Sequence, residues 1–308
     1  MLKEEIVAAV KNSIGFSIIA DETADISGTE QLSIGIRFVD QHDANAVIRE
    51  EFLGFVPLIN LDAESIADTI ISAIQRLGLD LNDCLGQGYD GCSTIAGKDN
   101  GVQARIRRIY EKALFVHCSS HRLNLVVNDL NSVMDVRNTV GTIKSIIAFF
   151  RDSPKRRAMI PNVPLLSETR WTAKYKSIRV FAKNFPEIFK KLEELKNNRQ
   201  ESQNTRQAAH QLICASGSAS FLTCLKIIEK YSAILEPVTQ QLQGVEMDVL
   251  QVREHIKMLT STIESHREDA STVFAEDILP NVESVAEELD IDMIVPRRCN
   301  KQVNRAIV

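Results

Sequence analysis

An α/β fold is predicted for this chain: a mixed five-stranded sheet followed by a mainly α-helical region. Three observations carry that expectation. Apolar runs of strand length recur at 16–21, 31–39, 47–56, 84–89 and 114–118. Segments with helical spacing, 62–77 and 100–112, separate the last three runs, and strand–helix–strand alternation builds parallel crossovers. From about residue 119 onward the apolar residues fall at helical spacing.

Residues 2–13 read as a short amphipathic helix, with Ile6, Val7 and Val10 on one side. Phe16 to Asp21 is a buried strand. In Gln31 to Val39 the residues Leu32, Ile34, Ile36 and Phe38 alternate with polar ones, which predicts a strand with one buried side. Val47 to Val56 is a third strand, and the turn composition of 40–45 predicts a hairpin between the second and third. Asp62 can cap a helix whose stripe is Ile66, Ile70, Ile74 and Leu77, and Gly78 ends it. Cys84 to Tyr89 is the fourth strand, Asn100 to Lys112 a helix and Leu114 to Cys118 the fifth strand. Right-handed crossovers bring strand four beside strand one.

The later part reads as a bundle. Ile143, Ile146, Ile147 and Phe150 form one stripe, Ser153-Pro154 breaks the chain, and 161–164 is a loop. A helix starts near Trp171 and is expected to end before Pro186. Residues 197–207 read as a polar loop. Ile227 to Leu242 marks a long helix with Pro237 inside it, and Val249, Val252, Ile256, Leu259 and Ile263 mark another. The expected division is 1–160 for the sheet domain and 161–308 for the helical region.

Composition bounds the function. The formal net charge of −5 gives no overall preference for nucleic acid, but the distribution is uneven. Residues 141–200 hold fourteen Lys/Arg against five Asp/Glu, and 241–308 hold seven against thirteen. The basic middle suits a phosphate-facing strip or a set of solvated helix faces. Six cysteines without a C-x-x-C pair give no disulfide framework. The opening residues lack the pattern of a signal peptide, and no apolar stretch approaches a membrane span. A soluble, intracellular protein is expected, without a membrane partner.

Two carboxylates point to chemistry. Asp21 ends the first strand and Asp90 follows the fourth, in Gly86-Gln87-Gly88-Tyr89-Asp90-Gly91. A carboxylate at the end of a buried strand is costly unless it binds something or faces a cleft. On adjacent strands the two can share a divalent ion at the carboxyl ends, where open α/β sheets place ligands. Glu22 and Asp25 read either as outer ligands or as caps of the turn after the first strand, and Gly86, Gly88 and Gly91 as residues of tight turns around Asp90.

Four motifs stand in order: Asp21-Glu22-Thr23-Ala24-Asp25; 86–93, GQGYDGCS; 117–125, HCSSHRLNL; and Ser167-Glu168-Thr169-Arg170-Trp171. Together they resemble the hAT superfamily of DNA transposases, and within it the transposase-derived proteins grouped with MYM-type zinc-finger proteins and the THAP-type repressor of the inhibitor of protein kinase. The resemblance implies an RNase H-like core interrupted by a helical insertion, nuclear location and Mg²⁺-dependent DNA strand transfer. It implies that Asp21 and Asp90 are catalytic metal ligands. Cys118 and His121 match the family's C-x-x-H signature, and Arg170 and Trp171 its Arg-Trp signature, whose indole would support a displaced DNA base. Lys155, Arg156 and Arg157 form a basic cluster that touches phosphate, acts as a weak nuclear import signal or begins a solvated helix.

The chain also departs from that pattern. The family's third carboxylate follows the insertion, in a closing segment with no match here. Glu283, Glu287 and Glu288 lie on an acidic helix without any mark of that role. No paired Cys/His set of a zinc-finger domain precedes residue 84. Cys118 and His121 lack two further ligands for a structural zinc, so zinc is not expected. Three readings remain: a truncated or domesticated transposase-like protein with residual DNA or protein binding; an active transposase or nuclease; and a host interaction module that keeps only the fold, with a protein partner or a second copy.

Overall fold

The computed structural model describes residues 2–41, 46–166, 171–242, 244–245 and 249–294. Its first part contains α1 (Leu2–Lys11), β1 (Phe16–Ala24), β2 (Glu30–Asp40), β3 (Val47–Pro57), α2 (Ala63–Arg76), β4 (Cys84–Tyr89), α3 (Ser93–Ala96), α4 (Val102–Ile109) and β5 (Leu114–His117). The strand order is β3-β2-β1-β4-β5. β1 pairs antiparallel with β2, β2 antiparallel with β3, β1 parallel with β4, and β4 parallel with β5. This is the mixed five-stranded sheet that the sequence pattern predicts.

Alternation decides which face is buried. Ile18 and Ala20 of β1 and Leu32, Ile34, Ile36 and Phe38 of β2 point to one side, where they meet Ile6 and Val10, Ile66, Ile70 and Ile74, and Val102 and Ile106 of the three longer helices. Each such branched side chain, fully buried, is worth about 1.5–3 kcal/mol. The Asp62 carboxylate caps α2 by accepting from the Glu64 and Ser65 amides. Gly78, at φ 73°, takes the left-handed conformation that ends the helix without a Cβ penalty.

The β2–β3 pairing carries a bulge. Ile34 faces Gly54 and Gly35 faces Phe52, so Leu53 is the extra residue. Phe52 and Phe55, three positions apart, therefore share a face, with ring centroids 4.9 Å apart. That face is the one opposite the helices. By register it also holds Asp21 beside Ser33, Leu114 beside Gly86 and Val116 beside Gly88. Phe52 (55%), Phe55 (59%), Leu114 (53%) and Val116 (57%) are all exposed.

The second part contains α5 (Ser119–Asn128), α6 (Met134–Arg151), α7 (Pro154–Arg157), α8 (Trp171–Asn197), α9 (Gln203–Ser216), α10 (Ala219–Gln241), α11 (Val249–Glu268), α12 (Ala270–Val273), a π-helical turn (Phe274–Ile278) and α13 (Leu279–Glu288). The chain divides into two compact units, 1–125 with 241–252 and 126–240 with 253–308. The Ile143, Ile146, Ile147 and Phe150 stripe of α6 packs into the helical core of the second unit.

Two local expectations are corrected. α8 runs through Pro186 instead of ending before it. A proline removes one helical hydrogen bond and crowds the preceding turn. Here Phe181, Phe185, Ile188, Phe189 and Leu192 are buried on both sides of it, and that packing outweighs the local cost. The stretch 197–207 is not all loop: Ser202 accepts from the Thr205 amide and starts α9 at Gln203. Among the described residues no single helix is long and apolar enough to cross a membrane.

Candidate functional site

The site begins with the parallel register of β1 and β4. Ile18 lies beside Gln87 and Ile19 beside Gly88. Asp21 follows Ile19 by two residues and lies inside β1, which runs on to Ala24 instead of ending at Asp21 as the sequence predicts, whereas Asp90 follows Gly88 by two and lies just past the end of β4. The Asp21 carbonyl accepts from the Ser33 hydroxyl at 2.9 Å, which ties this end of β1 to β2. Asp90 is half-buried, and its Oδ1 accepts from the Cys92 amide at 3.2 Å, turning the chain into α3.

Glu22 is the residue that sequence reasoning undervalued. On a strand of period two it shares the face of Ile18 and Ala20, so its side chain turns toward the helix-covered side. Its Oε1 is enclosed with no hydrogen-bond partner. Burial, then the charges of Asp90, Glu30 and Asp21, push its carboxyl above the ordinary range. The pressure from both aspartates shows that the three carboxylates share one electrostatic neighbourhood. Burial and the same Asp90 and Glu22 charges push the Cys92 thiol up, so it stays protonated. Asp25, by contrast, caps the β1–β2 turn. Its Oδ1 accepts from the Ser27 amide (2.8 Å), the Ser27 hydroxyl (2.6 Å) and the Thr29 amide (3.0 Å). Those bonds, the Ser27 hydroxyl first, hold its carboxyl below the usual range.

The strand behind the site is fixed by a buried amide. Gln87 Nε2 donates to the carbonyls of Gln103 (3.0 Å) and Ala113 (2.9 Å), and Gln103 Nε2 donates to the Gly97 carbonyl (3.0 Å). Gly86 and Gly88 lie within β4, not in turns, which corrects their expected role. Gly91 is different: a Cβ there would sit 1.9 Å from His117 Nε2, so the glycine makes room for that imidazole beside Asp90. His117 in turn lies 5.7 Å, centroid to centroid, from the half-buried His121 ring. Cys118 is exposed and closes the strand–helix junction through its amide, which donates to the Tyr89 carbonyl.

Of the predicted nucleic-acid residues, Lys155 and Arg156 belong to the second unit. Lys155 Nζ pairs with Glu201 Oε1 at 2.5 Å. The Arg156 guanidinium lies 4.4 Å over the Phe149 ring, and its Nε donates to the Phe149 carbonyl at 2.7 Å. Both belong to a short helix capped by Ser153 with Pro154 in its first turn. Arg170 lies outside the described residues, as does the Trp171 side chain; the Trp171 backbone opens α8.

Mg²⁺ takes near-octahedral oxygen ligands, and in-line phosphoryl transfer by two ions needs both of them clamped. Among the described residues no group of three His, Cys, Asp or Glu side chains is arranged to hold a metal ion. Asp21 and Asp90 would be the ligands for a single Mg²⁺, which would supply Lewis-acid stabilisation of a phosphate oxygen. With no third side chain grouped beside them among the described residues, the two aspartates do not make up the two-ion arrangement.

Comparison with known proteins bears on the sheet. A family model described as the ZMYM1/FAM200 RNase-like domain matches residues 1–101, the stretch that contains β1 to β4 and both aspartates. The chain is similar to the 52 kDa repressor of the inhibitor of the protein kinase from Homo sapiens, 26% identical over 313 residues, and to its Mus musculus counterpart, 26% identical over 314. Each alignment covers 96% of this chain but only 40% of the human and 41% of the mouse protein. The chain therefore spans about two fifths of the length of these relatives. It is an α/β protein with an RNase-like sheet, and nearly its whole length aligns with the two repressor relatives.

Proposed function

We propose that the chain is a domesticated hAT transposase-like module of the MYM-type zinc-finger and THAP-type repressor branch, which has kept the RNase H-like sheet but not complete strand-transfer chemistry. Its remaining role is to bind DNA or protein, in the nucleus. The observation that carries this reading is the contrast at the strand ends. The β1/β4 pairing runs as far as Ile19 beside Gly88, with Asp21 and Asp90 each two residues further on, which supports a shared place for the two carboxylates. The third nearby carboxylate, Glu22, turns to the helix-covered side with its Oε1 enclosed, and among the described residues no third metal-ligating side chain joins the two aspartates. Such a site can attract one cation yet lacks the clamp for an in-line displacement.

The test pairs cleavage with binding. With Mg²⁺ or Mn²⁺ and hairpin or nicked DNA, no strand cleavage above background is expected, and Asp21→Asn and Asp90→Asn should change nothing in that assay. DNA binding should weaken as salt rises and should be reduced by Arg170→Ala. Metal-dependent cleavage lost in either aspartate variant would overturn the proposal in favour of an active nuclease.

A second reading, a protein-interaction module, is favoured by the exposed apolar sheet face of Phe52, Phe55, Leu114 and Val116. Salt-insensitive behaviour toward DNA together with a stable protein complex on that face would select it.

A further inference from the structure

On α9, far along the chain from the acidic residues, His210 and Cys214 are both exposed and one helical turn apart. The Cys214 sulfur lies 3.9 Å from His210 Nδ1 and 3.9 Å from Nε2. We propose that this pair is a two-donor surface site for a borderline-soft divalent cation of the zinc type.

The geometry supports the pairing. Residues four apart on a helix project side by side, so the backbone pre-sets the two donors. Zinc bonds of about 2.3 Å to sulfur and about 2.0 Å to nitrogen, at a tetrahedral angle, separate the two donor atoms by about 3.5 Å. The observed 3.9 Å needs only a small closing movement. Because the sulfur is equidistant from both nitrogens, the ring must also turn about χ2 to aim one of them at the ion. That torsion is broad for an imidazole, and the exposed ring is free to make the turn.

Gln207 and Gln211, also exposed on α9, offer amide oxygens one turn away. The Arg206 guanidinium, a turn before His210, carries like charge and holds the affinity down. Among the described residues no third His, Cys, Asp or Glu joins the pair, so water completes the coordination. Both donors are of the kind that zinc prefers, and their exposure leaves open positions for exchange.

The test uses the full reduced chain, stripped of metal and titrated with Co²⁺ as a spectroscopic stand-in for zinc. A near-ultraviolet thiolate-to-cobalt band should appear. It should be lost in Cys214→Ser and in His210→Ala, and kept in Cys118→Ser. Both donors are on the surface, so these variants are expected to fold, and the Cys118 variant controls for other thiols. In parallel, Zn²⁺ should slow alkylation of Cys214 but not of Cys118, which is also exposed, and His210→Ala should abolish the protection. Absence of the band, its survival in Cys214→Ser or His210→Ala, or equal slowing at both thiols would overturn the proposal.

Discussion

At the scale of single residues, Glu22 is the most informative side chain. A carboxyl whose folded pKa lies above its unfolded value holds more protons in the folded state. Its contribution to stability is full below the ordinary value of 4.5 and is lost as pH rises through the raised folded value. Glu22→Gln keeps the shape, removes the charge and can donate to a neighbouring carboxylate. The variant should match the parent near pH 4 and exceed it at pH 7 by on the order of 0.5 kcal/mol, since the group is partly solvated and its repulsions are screened. Urea melts at the two pH values check this. A parent that gains on the variant as pH rises would mean that Glu22 is ionised and held by a favourable partner. The residue was legible only in part. Period two places it on the inward face with Ile18 and Ala20, but the inward turn at the end of a strand looks the same in sequence as a solvated one.

At the scale of elements, the sheet was legible almost strand by strand because each reports its own burial. Leu32, Ile34, Ile36 and Phe38 alternate, and Asp62 with Gly78 brackets α2. What the sequence hid was set by contacts distant in the chain. Pro186 looked like a stop until the aromatic residues around it were seen buried. The bulge at Leu53 depends on pairing with β2, not on its own composition. The amide of Gln87 is the clearest case: a polar residue in a short strand reads as a solvated position, yet it is 1% exposed and holds two carbonyls. Gln87→Leu should strand the Gln103 and Ala113 carbonyls and cost about 1–3 kcal/mol. Loss of amide-exchange protection at β4 and β5, ahead of β2 and β3, would locate the damage. Unchanged stability would show that water replaces the side chain without penalty.

At the scale of the molecule, the sheet has one face packed under helices and one that presents Phe52, Phe55, Leu114 and Val116 beside the acidic strand ends. The apolar residues occupy both margins of the sheet, on β3 and β5, across glycine positions on β2 and β4 that leave the middle low. A surface of this kind is unfavourable in water and invites a partner, and in a pure sample the available partner is another copy. The isolated chain should therefore be poorly soluble and associate as concentration rises, with light scattering giving a mass that grows above that of the 34.5 kDa chain. Phe55→Lys and Val116→Lys should each shift it toward the monomer. They lie on opposite margins, so a contact that spans the face responds to both, whereas one confined to the β3 edge responds to Phe55 alone. Reducing buffer separates this from disulfide coupling through the exposed Cys118. Asp21→Asn is the complementary variant: it lowers the charge at the end of the same face and should strengthen the association. A chain that stays monomeric at all concentrations and unfolds in one cooperative step would show that this face tolerates water, and would remove the main physical support for an interaction module.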